Sequence, residues 1–199
     1  MRKVVLAVLM AVALVAPAFA AEKGEISIIP KVGIQPEVMF DLGYDTDYDI
    51  DYMSQYNLNT MYVFDLEAFY SVSNIFSVGA GVSFPTVKSI TYFAGDIYLR
   101  TIAYYLAVKA ETPVSITEKS SVYAIGKIGL NNMDVQQKNN PSYSDSGSGL
   151  YFALGAGLDI NNIIFEASYS VSKASIDKND CDVLKLSALK ISAGYKFAI

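Results

Sequence analysis

Residues 163–172 read Ile-Ile-Phe-Glu-Ala-Ser-Tyr-Ser-Val-Ser, with an apolar or aromatic side chain at every odd position. Glu or Ser occupies the even positions from 166 to 172. Because successive side chains of a β-strand point to opposite faces, this alternation predicts a strand with one apolar and one polar face. Asn161 and Asn162 precede it and suit a two-residue hairpin turn, since Asn tolerates positive φ. Residues 150–158 alternate in the same way, so the stretch 150–172 predicts a β-hairpin.

The same period of two recurs along the chain. Strands are predicted at 25–40, 58–72, 76–84, 97–111, 122–130, 150–158, 163–172 and 189–199. The connections Ser73–Asn74 and Asn161–Asn162 are tight, 112–119 is intermediate, and 41–56, 85–95, 131–149 and 173–183 are predicted as long polar loops. An even number of strands, with short turns at one end and long loops at the other, is typical of outer-membrane barrels. We predict an all-β fold, an eight-stranded antiparallel up-and-down transmembrane β-barrel.

The composition of the two strand faces indicates which one meets the surroundings. One face carries Val, Ile, Leu, Phe, Tyr and Ala throughout, as a lipid-facing band requires. The other carries mainly Gly, Ser and Ala with a few charges, which suits a narrow lumen filled by side chains. A soluble exported all-β domain, with its apolar face inward, is the alternative.

The first strand contains two prolines, Pro30 and Pro36, both at even positions and therefore on its apolar face. Proline has no N–H to donate to a neighbouring strand. Either the strand carries a bulge near one proline, which we favour, or the residues before about Lys31 form a lead-in below the barrel.

The N-terminus has the features of a secretory signal peptide. Arg2 and Lys3 precede the apolar run 4–15, which is shorter than the roughly 20 residues of a membrane-spanning helix. Ala18-Phe19-Ala20 supplies the small residues of a cleavage site. We therefore predict a signal peptide over 1–20 and a barrel domain over 21–199, located in the bacterial outer membrane. An uncleaved N-terminal anchor is the alternative.

The composition also excludes several kinds of function. The chain of 199 residues has no His and one Cys, which excludes Ser-His-Asp catalysis and a Cys/His zinc site. A net charge of −5 argues against a nucleic-acid partner. We expect no cofactor, no metal and no enzymatic activity.

Several charged residues lie at strand positions whose side chains, by the alternation, are predicted to face the lumen. They are Asp65, Glu67, Lys109, Lys127, Glu166, Lys190 and Lys196, together with Lys31 and Glu37 if the first strand holds. Buried charges must be paired, so we interpret this set as an ion-pair network that plugs the barrel. Glu67 is expected to face Gly79 or Gly81, and Glu166 and Lys196 are expected at similar depth. A gated path for small solutes or protons is the alternative.

An acidic, tyrosine-rich patch is predicted in the first long loop. It comprises Tyr44, Asp45, Asp47, Tyr48, Asp49, Asp51 and Tyr52. The spacing of the aspartates is similar to an EF-hand, but Ile50 and Tyr56 stand where that motif needs Gly and Glu. We interpret the patch as a solvated hairpin tip. A weak divalent-cation site, or a contact surface for a partner, is the alternative.

The chain ends in Gly194-Tyr195-Lys196-Phe197-Ala198-Ile199, and with the eight alternating strands this resembles the small OmpA/OmpX-type barrels of the outer-membrane porin family. The resemblance implies that Tyr195, Phe197 and Ile199 form the signal read by the barrel assembly machinery. The family usually ends in an aromatic residue, where this chain has Ile199.

We expect outer-membrane lipids, periplasmic chaperones and the assembly machinery as partners of a monomer whose termini lie in the periplasm. The expected function is structural or adhesin-like surface interaction through extracellular loops. A narrow channel for small or apolar solutes, like the OmpW type, is the alternative.

Overall fold

The structure, a computed structural model, describes residues 23–36, 38–46, 49–58, 60–86, 88–92, 95–114, 120–137, 140–176 and 183–199. No helix long and apolar enough to cross a membrane occurs among these residues. The strands are β1 Ile26–Gln35, β2 Val38–Thr46, β3 Asp49–Leu58, β4 Met61–Ser71, β5 Phe76–Pro85, β6 Lys88–Tyr92, β7 Gly95–Pro113, β8 Ser120–Gln137, β9 Asn140–Ile160, β10 Ile163–Ile176, β11 Val183–Tyr195 and β12 Phe197–Ala198. The predicted signal peptide over 1–20 lies outside the described residues.

These segments combine into eight antiparallel crossing strands. Four of the crossing strands consist of two segments each, which lie one after the other along the same neighbouring strand. They are β1 with β2 (the first), β3 with β4 (the second), β5 with β6 (the third) and β11 with β12 (the eighth). The strands β7, β8, β9 and β10 are the fourth to the seventh. The strand β1 pairs with β4 on one side and with β11 and β12 on the other. This last pairing closes the sheet, so the predicted eight-stranded barrel is confirmed.

Large apolar side chains cover the outer surface of the barrel. Leu106 and Leu154 are each 66% exposed, and outward residues of every crossing strand follow the same pattern. The interior instead holds charged and small polar side chains, among them Lys31, Asp65 and Glu67 at 1–2% exposure. A soluble fold would have the opposite distribution, whereas a closed sheet in lipid requires this one.

The turn at Asn161–Asn162 agrees with its prediction. Both residues have positive φ, 53° and 70°, as a two-residue hairpin turn requires. The tight turn around Ser73 lies at the same end of the barrel as the start of β1 and the end of β12. There the Ser73 hydroxyl accepts hydrogen bonds from the backbone N–H groups of Ile75 and Phe76.

The first crossing strand contains the predicted bulge, at Pro36. Ile34 pairs with Ile191, but Val38 pairs with Ala188, so one extra residue is accommodated between them. An extra residue reverses which face later side chains point to. Val38, which alternation alone placed on the lipid side, is therefore buried in the lumen at 3% exposure. The alternative of a lead-in before Lys31 is wrong, because β1 begins at Ile26.

Three of the predicted long loops are wrong. Residues 41–56 are mostly the hairpin of β2 and β3, whose described strands end at Thr46 and begin again at Asp49. Residues 131–149 are the β8–β9 hairpin, and most of 85–95 lies in β6 and β7. Residues 131–149 hold mostly polar residues and show little apolar alternation. Residues 41–52 do alternate, with Leu42, Tyr44, Tyr48, Ile50 and Tyr52 between Asp or Gly at most positions, a strand pattern in a stretch that we predicted as a loop from its charge. Backbone pairing between neighbouring strands does not require apolar alternation.

Candidate functional site

Four charged side chains form a closed ring of ion pairs across the centre of the lumen. Lys31 Nζ lies 2.7 Å from Glu67 Oε2 and 2.8 Å from Glu166 Oε2. Lys127 Nζ lies 2.8 Å from Glu67 Oε1 and 2.7 Å from Glu166 Oε1. The four residues come from β1, β4, β8 and β10 and thus from separate crossing strands. We call them the central ring. It joins opposite walls of the barrel through alternating charges.

Two tyrosines complete the hydrogen bonding of the ring carboxylates. The Tyr105 hydroxyl donates to Glu67 Oε1 at 2.8 Å, and the Tyr123 hydroxyl donates to Glu166 Oε2 at 3.2 Å. Each carboxylate oxygen of the ring therefore has at least one donor, as buried charges require. Lys127 also lies 5.3 Å from the centre of the Tyr105 ring, within cation–π range.

Further ion pairs lie on either side of the central ring. Asp65 pairs with Lys190 at 2.7 Å, and Lys196 pairs with Asp159 at 2.8 Å. Lys109 pairs with Glu111 and lies near the Phe69 and Tyr123 rings. All seven lumen residues singled out from the sequence are thus buried and paired. Lys196 does not pair with Glu166, contrary to the similar depth expected for them, and Glu37 lies outside the described residues.

Sequence reasoning missed four members of this network: Tyr105, Glu111, Tyr123 and Asp159. By the alternation of side chains, each lies at a lumen-facing position of its strand, as Lys109 does on β7 and Lys127 on β8. If the alternation had been followed to the end of each strand, it would have predicted the two carboxylates, Glu111 and Asp159, as lumen residues. The roles of the tyrosines depend on which side chains meet across the lumen, which parity does not reveal.

Gly81 provides the space that the central ring needs. It is the register partner of Glu67 on β5, as one of the two expected glycines. A Cβ atom at this position would lie 2.9 Å from Glu67 Cγ and 2.7 Å from Tyr105 Cε2. Any side chain here would therefore displace the carboxylate or the tyrosine.

A small cavity lies in the lumen between the central ring and the end opposite the turns at Ser73 and Asn161. Its volume is about 40 Å³, and side chains from all eight crossing strands line it, including Gln35, Val38, Asn131, Tyr151, Ser170 and Leu186. This volume holds a few water molecules and no larger solute. Asn131 is buried there, and its Nδ2 has no hydrogen-bond partner within the described part of the protein.

The acidic, tyrosine-rich patch lies at the tip of the β2–β3 hairpin. Tyr44 pairs with Asp51, Gly43 pairs with Tyr52, and Asp45 and Asp49 belong to the last rungs before the tip. Asp47 and Tyr48 lie outside the described residues, as do the side chains of the other patch members. Among the side chains that the structure does describe, no group of three or more His, Cys, Asp or Glu is arranged to hold a metal ion.

The C-terminal residues lie on the seam that closes the barrel. The strand β12 pairs with β1, and the Ile199 backbone N–H donates to the Ile26 carbonyl. Tyr195 and Phe197 face outward with their ring centres 4.8 Å apart. Their recognition by the assembly machinery stays a prediction.

Comparison with known proteins places this architecture among outer-membrane barrels. The crystal structure of Ail, the attachment invasion locus protein of Yersinia pestis, superposes with a TM-score of 0.51 at 20% identity, covering 88% of this chain and 99% of that one. Neisserial surface protein A superposes with a TM-score of 0.51 at 13% identity, covering 88% and 100%. No curated protein matches the chain in sequence. These likenesses show a shared fold.

Residues 4–197 match the family described as the outer membrane protein beta-barrel domain. This match spans nearly the whole chain and agrees with the closed eight-stranded barrel and its apolar outer surface. Proteins of this architecture cross the bacterial outer membrane. The chain therefore belongs to the outer membrane protein beta-barrel domain family and resides in the bacterial outer membrane.

Proposed function

We propose that this protein is a non-enzymatic scaffold of the cell envelope, closed to solutes, that interacts with surface partners through its extracellular hairpins. The termini lie in the periplasm in this proposal, so the hairpins at the opposite end face outward. The central ring is the observation that carries it, because a solute crossing the lumen would have to break the ring.

The cost of opening the ring supports a closed lumen. Both lysines contact both carboxylates at 2.7–2.8 Å, and all four side chains are at most 1% exposed. Removing one partner from such a buried pair costs about 3–5 kcal/mol. A passing solute would have to compensate for more than one of these contacts at once.

The hairpins beyond the apolar band offer the surface for a partner. In the β8–β9 hairpin, Leu130 pairs with Leu150, and pairing continues to Gln137 and Asn140. The residues in this extension are mostly Asn, Asp, Gln, Ser and Gly. The β2–β3 hairpin adds the acidic, tyrosine-rich patch, and tyrosine is favoured at protein interfaces. Function on a rigid scaffold commonly lies in such connecting segments.

The absence of enzymatic activity is part of the proposal. The chain has no His to act as a general base. The buried carboxylates of the central ring are each held by lysine ammonium groups and a tyrosine hydroxyl. The names of the similar structures belong to those proteins, and at 20% identity or less they support only the fold.

Planar-bilayer conductance of the refolded protein tests this proposal. Heat-modifiable migration on a gel provides the folding control. We expect a folded barrel without steady conductance. Stable, cation-selective steps that disappear in Asp65→Asn or Glu67→Gln would overturn it.

A narrow channel for small solutes is the second candidate, and the cavity of about 40 Å³ favours it. The cavity leaves room for a few water molecules beside the central ring. A channel would require the ring to open, so Lys127→Met would raise conductance in a channel. In a closed scaffold, the same variant stays silent for as long as it remains folded.

A further inference from the structure

Each residue of the central ring has an apolar neighbour two positions nearer to the turns at Ser73 and Asn161. These neighbours are Ile29 on β1, Phe69 on β4, Ile125 on β8 and Ile164 on β10. Because side chains alternate along a strand, residues two positions apart face the same side, so all four side chains point into the lumen. They are buried at 1–3% exposure and belong to one contiguous apolar cluster. We call these four residues the apolar layer.

The opposite side of the central ring has a different composition. Two positions further from those turns, the same four strands carry Gly33, Asp65, Gly129 and Ser168. Asp65 Oδ1 and Ser168 Oγ are buried without a hydrogen-bond partner in the described part of the chain. The small cavity also lies on this side of the ring. Water molecules can therefore find polar partners on this side, whereas the side chains of the apolar layer offer them none.

The neighbouring strand makes room for the largest side chain of the apolar layer. Gly79 of β5 is the register partner of Phe69, and a Cβ atom at Gly79 would lie 2.6 Å from Phe69 Cδ1. The Phe69 ring therefore lies over a part of the wall that has no side chain. Lys109 Nζ lies 5.0 Å from the centre of this ring and is paired with Glu111. These contacts of Phe69 involve none of the ion pairs of the central ring.

We propose that the apolar layer is a second closure of the lumen, which excludes water and ions even when the central ring is open. An ion that entered the layer would lose its hydration without gaining polar partners, which is strongly unfavourable. Apolar constrictions close channels in this way, because they stay dry. This assignment rests on the proposed function, in which the lumen is closed, and adds a barrier that does not depend on charge.

Ion conductance and proton flux through a barrel with an opened ring test the assignment. The double substitution Glu67→Ala/Lys127→Ala removes one carboxylate and one ammonium group, so Lys31 and Glu166 keep their ion pair at 2.8 Å. The full mature protein is refolded into planar bilayers and into vesicles that contain a pH-sensitive dye. We expect this ring variant to show no steady conductance and no proton flux above that of protein-free membranes.

Opening the apolar layer as well should make the lumen permeable. Adding Phe69→Ser/Ile164→Ser to the ring variant places two small hydroxyl groups in the layer. Proton flux should then rise at least about tenfold, since relief of about 1.4 kcal/mol of desolvation cost corresponds to that factor. The matched control adds Tyr70→Ser/Ile163→Ser, which places the same hydroxyl groups at the adjacent outward positions. This control should leave the flux of the ring variant unchanged.

Three results would overturn the assignment. These are conductance or proton flux in the folded ring variant, no flux after the layer is also opened, or an equal rise in the matched control. Heat-modifiable gel migration shows whether each variant is folded. If the ring variant does not fold, Lys127→Met replaces it as the background, and Ile164→Ser alone should still raise the proton flux of that background. Conductance of the unsubstituted protein would instead contradict the proposed function, so the two failures are distinguishable.

Discussion

Replacing Lys127 with methionine tests whether the central ring acts as a unit. Methionine has nearly the length of lysine but no charge, so the change removes two ion pairs, to Glu67 and to Glu166, with little loss of packing. The ring then holds two carboxylates and the single ammonium of Lys31. Because one buried partner has been removed, we expect the free energy of unfolding to fall by about 3–5 kcal/mol.

A second substitution restores the charge balance. Glu67→Gln alone should cost a similar 3–5 kcal/mol, since it leaves Lys127 and Lys31 to share one carboxylate. In the combined variant, Lys31 and Glu166 remain as one complete pair at 2.8 Å. The double variant should therefore lose about 3 kcal/mol less than the sum of the two single losses, at the upper end of measured couplings.

Urea unfolding in lipid vesicles measures these losses. The chain has no Trp, so far-UV circular dichroism and heat-modifiable gel migration replace tryptophan fluorescence. Linear extrapolation gives each free energy of unfolding, and the four proteins of the cycle give the coupling. Losses that add within about 0.5 kcal/mol would refute the interpretation of the ring as a unit.

Three further substitutions test other parts of the barrel, and two of them have a control variant. Gly81→Ala should lower stability by about 1–3 kcal/mol in the same urea assay, because its Cβ would lie 2.9 Å from a ring carboxylate side chain. Gly126→Ala, whose Cβ would have 3.6 Å of clearance, should be neutral, and equal losses would contradict this. Asp159→Ala should cost about 3 kcal/mol, because it removes the pair with Lys196 and the hydrogen bond from the Asn162 N–H. Asp159→Asn should cost less if it keeps that hydrogen bond. Leu154→Arg, in the middle of the outward band of β9, should cost about 2–4 kcal/mol in vesicles, and a cost near zero would argue against a lipid-facing position.

The alternation of side chains was sufficient to predict most of the barrel. Strand faces follow from the period of two, so Asp65, Glu67, Lys127 and Lys190 could be assigned to the lumen without any structure. The extent of the β8–β9 hairpin could not be predicted in this way. Residues 131–149 are mostly polar, and backbone pairing leaves no periodic trace in such a sequence.

The candidate site was predictable as a set of residues but not as a set of pairs. The odd or even position of a residue in its strand gives the direction of its side chain. It does not give the depth of that side chain in the lumen relative to side chains on the opposite wall. The ring of Lys31, Glu67, Lys127 and Glu166 joins residues up to 135 positions apart. Which of them meet depends on the stagger of all eight strands around the barrel.

The sequence by itself determined the class of the fold, the face that meets lipid, and the charges that must be buried, because each of these follows from local alternation. The tertiary structure decided the partners of those charges and the face of Val38. A single extra residue at Pro36 reverses the alternation after it, and only pairing with β11 reveals that residue. Closure of the sheet then sets the depth of every lumen side chain, since no strand's register is fixed until its neighbours on both sides are in place.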